Sequence, residues 1–136
     1  MLKRALLAGA AVFVAWSVLD FVIHGLLLGA TYAATAELWR PIDEIKRPLM
    51  SLVTLVYTIC FVAIYALLVS NKTIRSGITF GALLGVASGF SMGFGTYGFM
   101  PIPLPLAWSW FGGTLVELIA AGAIVGAIVW PVTKTA

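Results

Sequence analysis

The chain of 136 residues is more apolar than soluble domains of its size. Hydrophobic residues make up 62% of it and charged residues 10%, against about 45–50% and about 25% in soluble domains. The formal net charge is only +3, and the basic residues form no patch that would bind nucleic acid. The single cysteine, Cys60, excludes an intrachain disulfide and is expected to be a buried thiol. The composition indicates an integral membrane protein with the lipid bilayer as its surroundings.

Four segments are long enough to cross the hydrocarbon core of a bilayer, which takes about 20 helical residues. The predicted spans cover residues 5–28, 48–69, 77–97 and 108–130. We therefore expect a single all-α domain over residues 1–136, built as a bundle of four transmembrane helices.

The placement of charge predicts the orientation of these spans. Basic residues without acidic companions precede the first span, separate the second from the third and follow the fourth: Lys3, Arg4, Lys72, Arg75 and Lys134. The loop after the first span balances acidic and basic residues, and the loop after the third has no charge. Since excess basic residues stay on the cytoplasmic side, both termini are expected to be cytoplasmic in a bacterial-type inner membrane. Aromatic residues at the span ends fit interfacial belts: Tyr32, Trp39, Tyr97, Trp108, Trp110 and Trp130.

The start of the chain also has features of a signal peptide. MLKR precedes an apolar run, and ATYAAT offers small residues for cleavage. The apolar run is longer than the roughly 7–15 residues of a signal-peptide core, and it contains Asp20. We expect an uncleaved first helix.

The two halves of the chain resemble each other, which indicates a duplicated helical hairpin. TLVYTICFVAIYALLV in the second span aligns without a gap with TLVELIAAGAIVGAIV in the fourth, and GLLLGATY aligns more weakly with GFSMGFGTY. Chance similarity between apolar helices is the alternative, above all for the weaker pair. Hairpins of residues 1–70 and 72–136 would form a parallel repeat about an axis along the membrane normal. Tyr57 and Glu117 would then lie at equal depth.

Three ionisable residues lie inside the predicted spans: Asp20, His24 and Glu117. Asp20 and His24 are four residues apart and share one face of a helix. At ~1.5 Å per residue, all three fall in the outer half of the bilayer. An ionisable group near the bilayer centre costs at least ~2.5–3.5 kcal/mol, so these residues should face the bundle interior. Hydroxyl groups at similar depth complete a predicted polar cluster: Thr54, Tyr57, Ser88 and Ser91.

Three roles are open for this polar cluster. The first is structural, because polar contacts hold membrane helices together at ~0.6 kcal/mol each on average. The second is a site for a proton or small cation. The third is a divalent-metal site of Asp20, His24 and Glu117, since carboxylate and imidazole ligands suit zinc or iron. One histidine and no cysteine pair disfavour the metal, and no other cofactor and no catalytic residue is predicted.

Glycine recurs at every fourth position of the third span: Gly77, Gly81, Gly85, Gly89 and Gly93. In lipid such a stripe lets two backbones approach closely. Gly122 and Gly126 offer a partner surface on the fourth span, roughly 140° around that helix from Glu117 at ~100° per residue. We expect the stripe to pack inside the chain, with a dimer interface as the alternative.

Prolines alternate with apolar residues in FMPIPLPLAW: Pro101, Pro103 and Pro105. This spacing forbids a helix and favours an extended segment of polyproline character. Because it carries no charge, it should lie in the interfacial zone as a stiff connector. A lid over the polar cluster and a docking surface for a partner are the alternatives.

The chain has a general resemblance to the small four-helix inner-membrane proteins of bacteria that are of unknown function. The residues that carry it are LDFVIHGLLLGATYAATAELWRP and SMGFGTYGFMPIPLPLAWSWFGGTLVE. The resemblance implies a membrane fold, and no catalytic residue is carried over from it.

Two classes of function are predicted. Small size, repeated hairpins and scarce extramembrane surface favour a non-catalytic accessory subunit, packed against itself or against other membrane subunits. The alternative is a small proton- or cation-coupled transporter that uses Asp20, His24 and Glu117. A membrane enzyme has less in its favour, because one histidine and two carboxyl groups are few groups for a catalytic site.

Overall fold

The computed structural model describes residues 1–130, and that part of the chain is helical without strands. The described part of the chain forms six α-helices, with these bounds: Leu2–Asp20 (α1), Gly29–Ala34 (α2), Arg47–Leu68 (α3), Ile74–Phe90 (α4), Thr96–Phe99 (α5) and Leu104–Ile128 (α6). π-Helical segments continue α1 over Phe21–Leu27 and α4 over Ser91–Gly95. Short 3-10 turns at Ala36–Leu38 and Ile42–Glu44 lead into α3. The basic residue Lys134 lies outside the described residues.

Within residues 1–130, four helices are long and apolar enough to cross a membrane: Leu2–Leu27, Arg47–Leu68, Ile74–Phe99 and Leu104–Ile128. Each contains the greater part of one predicted span, so the all-α class and the number of candidate spans are confirmed. The edges differ by a few residues. The third begins at Ile74 rather than residue 77, because the Thr73 side chain accepts from the Ser76 backbone N–H and caps the helix there.

The prediction that the proline segment is extended throughout is wrong for its second half. Only residues 100–103 lie outside a helix, and α6 begins at Leu104 with Pro105 in its first turn. Proline is compatible with the first turn because the N–H that it lacks has no partner inside the helix there. Within this segment Ile102 packs inside the bundle and is only 2% exposed, whereas Pro101 and Pro105 are exposed.

Helix α6 is the central element of the bundle, because α4 packs along it and α1 contacts it from another side. The glycine stripe of α4 lies directly on the α6 backbone. A Cβ atom added to Gly77 or Gly81 would collide with the carbonyl oxygen of Gly122 or Leu118. At Gly89 it would come 2.8 Å from the carbonyl oxygen of Phe111. The same close approach holds for the remaining members of the two glycine sets: Gly85, Gly93 and Gly126.

Helix α3 joins the bundle only from Tyr57 onwards. From residue 47 to 57 every residue is exposed except the half-buried Thr54. From Thr58 onwards one face is buried against α1 and α4, with Phe61 and Tyr65 as its largest buried side chains. The expectation that Cys60 is buried is wrong, because it lies on the other face of α3 and is exposed.

Candidate functional site

Trp16 lies where α1, α3 and α6 meet. Its side chain is 5% exposed, and its indole N–H donates to the backbone carbonyl of Glu117 at 2.8 Å. The same ring packs edge-to-face on Tyr57 and Phe61, with ring centroids 5.5 Å apart in both pairs. Trp16 therefore holds three helices together at the level of the predicted polar cluster.

Asp20 lies one turn beyond Trp16 on the same face of α1. Its carboxyl group is the neighbour of the Glu117 side chain on α6. The Oε1 atom of Glu117 is buried and has no hydrogen-bond partner within residues 1–130. Since like charges at close range repel, the two carboxyl groups favour a proton or a cation between them.

His24 continues this row of polar groups towards the end of the first span. Its Nε2 atom lies 3.9 Å from Oδ1 of Asp20, a distance within ion-pair range but too long for a hydrogen bond. The other ring nitrogen, Nδ1, lies 2.6 Å from the hydroxyl of Tyr32. Asp20 and His24 are partly open, with side chains 46% and 35% exposed.

The hydroxyl of Tyr32 connects His24 to α6, because it also accepts a hydrogen bond from the indole N–H of Trp110 at 2.7 Å. An indole nitrogen only donates, so the hydrogen of the Tyr32 hydroxyl is free to donate to Nδ1 of His24. The ring N–H of His24 is then on Nε2, the side that faces Asp20. Burial raises the pKa of Tyr32 above its ordinary value, and the bond from Trp110 opposes that shift, so the donor hydrogen is kept near neutral pH.

An aromatic cap of Tyr32, Trp39 and Trp110 covers this end of the row. Trp39 packs edge-to-face on Tyr32 with centroids 5.5 Å apart, and it lies 5.9 Å from Trp110. Its indole N–H donates to the hydroxyl of Thr35 at 2.9 Å. The cap ties the segment after α1 to the first half of α6.

Of the four hydroxyl residues in the predicted cluster, two meet. The hydroxyls of Tyr57 and Ser88 lie 2.8 Å apart and join α3 to α4. Thr54 instead donates to the carbonyl of Met50 in its own helix at 3.2 Å, and Ser91 is exposed. The site therefore consists of the row Glu117, Asp20 and His24, and the Tyr57–Ser88 pair is connected to it through the contact between Tyr57 and Trp16.

The three-ligand metal site suggested by the sequence is not formed. Among residues 1–130, no three His, Cys, Asp or Glu side chains are grouped so that they could hold a metal ion. Asp20 stands between Glu117 and His24, and His24 turns its Nδ1 towards Tyr32. A row of this kind does not surround one point as metal ligands must.

Three residues of the site were not predicted as part of it: Trp16, Tyr32 and Trp110. Trp16 precedes Asp20 by four residues, so helical spacing could have pointed to it. Tyr32 lies beyond the first span, where its sequence position suggests only an interfacial aromatic residue. Trp110 comes from the other half of the chain, and its sequence position suggests only an interfacial tryptophan.

Comparison of the chain with protein-family models, with curated proteins and with solved structures gave no match. The resemblance to small four-helix inner-membrane proteins therefore stays a prediction. Function has to be argued from the geometry of the chain itself.

Proposed function

We propose that the chain is a multi-pass membrane protein that serves as a non-catalytic accessory subunit. In this proposal a transmembrane helix of another subunit, or of a second copy, docks beside Asp20. The observation that carries it is the half-open carboxyl group of Asp20, 46% exposed inside a candidate membrane span. An ionisable side chain at this depth is costly when it faces lipid, so a polar partner is needed.

The position of α3 explains why Asp20 is open. At the level of Trp16, α3 closes against α1 through Tyr57 and Phe61. One turn further along the face of α1, at Asp20, the opposing residues of α3 belong to its exposed first half. We infer an opening between α1 and α3 at this level, with the carboxyl group of Asp20 on one wall and the exposed first half of α3 on the other.

The lining of this opening indicates what kind of helix would fill it. The first half of α3 exposes mostly apolar side chains, among them Met50 at 61% and Val53 at 60%. A docking helix would therefore need an apolar face to pack on α3 and one basic or amide side chain to bond the carboxyl groups. Such polar contacts between membrane helices combine packing with hydrogen bonding.

We also propose that the bundle is a pair of duplicated hairpins with both termini on the cytoplasmic side of a bacterial-type inner membrane. The order of elements supports the duplication, because α1 and α4 both end in a π-helical segment and lead through a short helix to a long one. Each of those long helices, α3 and α6, has a proline in its first turn. Tyr57 and Glu117, the aligned pair, both contact Trp16.

Native mass spectrometry of the protein extracted gently from its own membrane tests the subunit proposal. We expect an assembly of fixed stoichiometry, and we expect Asp20→Asn to reduce its abundance. Asp43→Asn is the matched control, because Asp43 is fully outside the spans and exposed. A bare monomer in the wild type, or equal assembly in the two variants, would contradict the proposal.

A second candidate function is the handling of protons or small cations, which the row of Glu117, Asp20, His24 and Tyr32 favours. The row leads from the interior of α6 towards the end of the first span. Proteoliposomes that contain a pH-sensitive dye would show a flux that Glu117→Gln abolishes and Glu37→Gln, in the exposed loop, leaves unchanged. If vesicles that contain the wild type show no flux of protons, this second function is contradicted.

A further inference from the structure

A second polar feature lies at the other end of the bundle, beside the turn between α3 and α4. An open cavity, a surface groove with a volume of about 570 Å³, lies there. Its lining combines a guanidinium group and other polar groups with apolar side chains, contributed mainly by Asn71, Arg75, Thr79, Phe80, Leu83 and Val69. This cavity is remote from the opening at Asp20 and plays no part in the function proposed above.

The α4 wall of the cavity changes from charged to apolar along the helix. Arg75, Thr79 and Leu83 are four residues apart and form one stripe, which extends for about 12 Å at 1.5 Å per residue. Arg75 lies at the helix end, and Leu83, 68% exposed, lies two turns inside the candidate span. The stripe points away from α6, because α4 contacts α6 through Gly77 and Gly81.

The polar end of the cavity contains a guanidinium group, that of Arg75, which is available to donate hydrogen bonds. Within residues 1–130 the guanidinium group of Arg75 takes part in no ion pair, the only one being between His24 and Asp20. The hydroxyls of Thr73 and Ser76 are engaged with each other and with the turn, and Lys72 donates to the carbonyl of Val69 at 2.7 Å. None of the lining residues is acidic, so the charge at this end is positive.

We propose that this cavity binds an anionic phospholipid from the surrounding bilayer. The phosphate lies on the guanidinium of Arg75, with Asn71 and Thr79 as further donors, and one acyl chain runs along Phe80 and Leu83. Arginine suits a phosphate because its planar fork can donate two parallel hydrogen bonds. Basic residues beside membrane helices attract anionic headgroups, and an open groove leaves the second acyl chain of the lipid in the bilayer.

The test uses nanodiscs with equal amounts of dioleoyl-phosphatidylglycerol and dioleoyl-phosphatidylcholine. Protein released from them is weighed by native mass spectrometry, and the two lipid adducts are compared. We expect the wild type to retain phosphatidylglycerol preferentially, and we expect Arg75→Gln to weaken that preference about fivefold. Arg75→Lys should lose part of it, since an ammonium keeps the charge without the fork.

Lys3→Gln is the matched control, because Lys3 is an exposed basic residue near the start of α1 that does not line the cavity. Its preference for phosphatidylglycerol should equal that of the wild type. Equal retention of the two lipids by the wild type would overturn the proposal. So would an equal loss in Lys3→Gln and Arg75→Gln, because that outcome would mean a diffuse effect of charge. Thr79→Val is a second variant inside the cavity, and we expect it to reduce the preference for phosphatidylglycerol less than Arg75→Gln does.

Discussion

The hydroxyl of Tyr32 is the smallest feature on which much of the site depends. It accepts from Trp110 at 2.7 Å and lies 2.6 Å from His24, so one atom connects α2 to both the π-helical segment after α1 and α6. Tyr32→Phe would leave the indole N–H of Trp110 without this partner. We expect a loss of about 1–3 kcal/mol in the free energy of unfolding, the usual cost of an unsatisfied buried donor.

Thermal unfolding in detergent, followed by tryptophan fluorescence, measures this loss as a lower Tm. Tyr97→Phe is the matched control, because Tyr97 is 44% exposed. If both variants melt at the temperature of the wild type, the hydrogen bonds of Tyr32 do not contribute to stability.

At this scale the sequence identifies the charged members of the site but not their partners. Asp20, His24 and Glu117 stand out because ionisable residues are rare in apolar runs. Tyr32 and Trp110 do not stand out, because an interfacial belt uses the same residue types at the same span ends. Their pairing depends on how α6 lies against the first hairpin, which no local pattern contains.

Among the elements, α4 and α6 form the closest contact, and glycine makes it possible. Gly81→Ala would place a methyl group onto the carbonyl oxygen of Leu118, a backbone atom that cannot turn aside. The two helices would have to separate, and we expect a loss of about 1–3 kcal/mol.

Gly9→Ala provides the comparison for this change. A Cβ atom at Gly9 meets nothing within 4 Å, and alanine is the better helix former by about 1 kcal/mol. Chemical unfolding in mixed detergent should therefore give Gly81→Ala a lower free energy of unfolding than the wild type. For Gly9→Ala the free energy of unfolding should equal or exceed that of the wild type. The reverse order would mean that the stripe is not in close contact.

Elements that depend on local pattern were predicted well, and elements that depend on packing were not. The four apolar helices follow from hydropathy, and the register of the glycine stripe follows from its spacing. No such signal in the sequence indicates the π-helical segments after α1 and α4. The same is true of the exposed first half of α3. Both depend on how neighbouring helices meet, and so does the burial of Ile102.

For the whole molecule, the contact between Arg4 and Trp130 bears on topology. The guanidinium group of Arg4 lies 4.7 Å from the centre of the Trp130 ring and donates to its carbonyl oxygen at 3.3 Å. The start of α1 and the end of α6 are therefore at the same end of the bundle. The turn that contains Asn71 belongs to this end, and the loop that contains Asp43 belongs to the other.

Labelling of single cysteines in a Cys60→Ala background tests the proposed orientation. In intact cells a membrane-impermeant maleimide should label Asp43→Cys, because the loop before α3 is expected outside. Asn71→Cys should react only after permeabilisation. Equal reaction of both positions in intact cells, or the opposite pattern, would contradict cytoplasmic termini.

The central place of α6 has a consequence for how the protein is made. Synthesis proceeds from the N-terminus, so α1, α3 and α4 leave the ribosome before the helix on which both α1 and α4 pack. Until α6 arrives, the glycine face of α4 has no backbone to contact and Trp16 has no carbonyl to bond. In the proposed membrane topology, insertion of the first three helices and the packing of α1 and α4 on α6 are therefore separate events, and quality control in the membrane would meet a nascent chain whose Asp20 is still without Glu117.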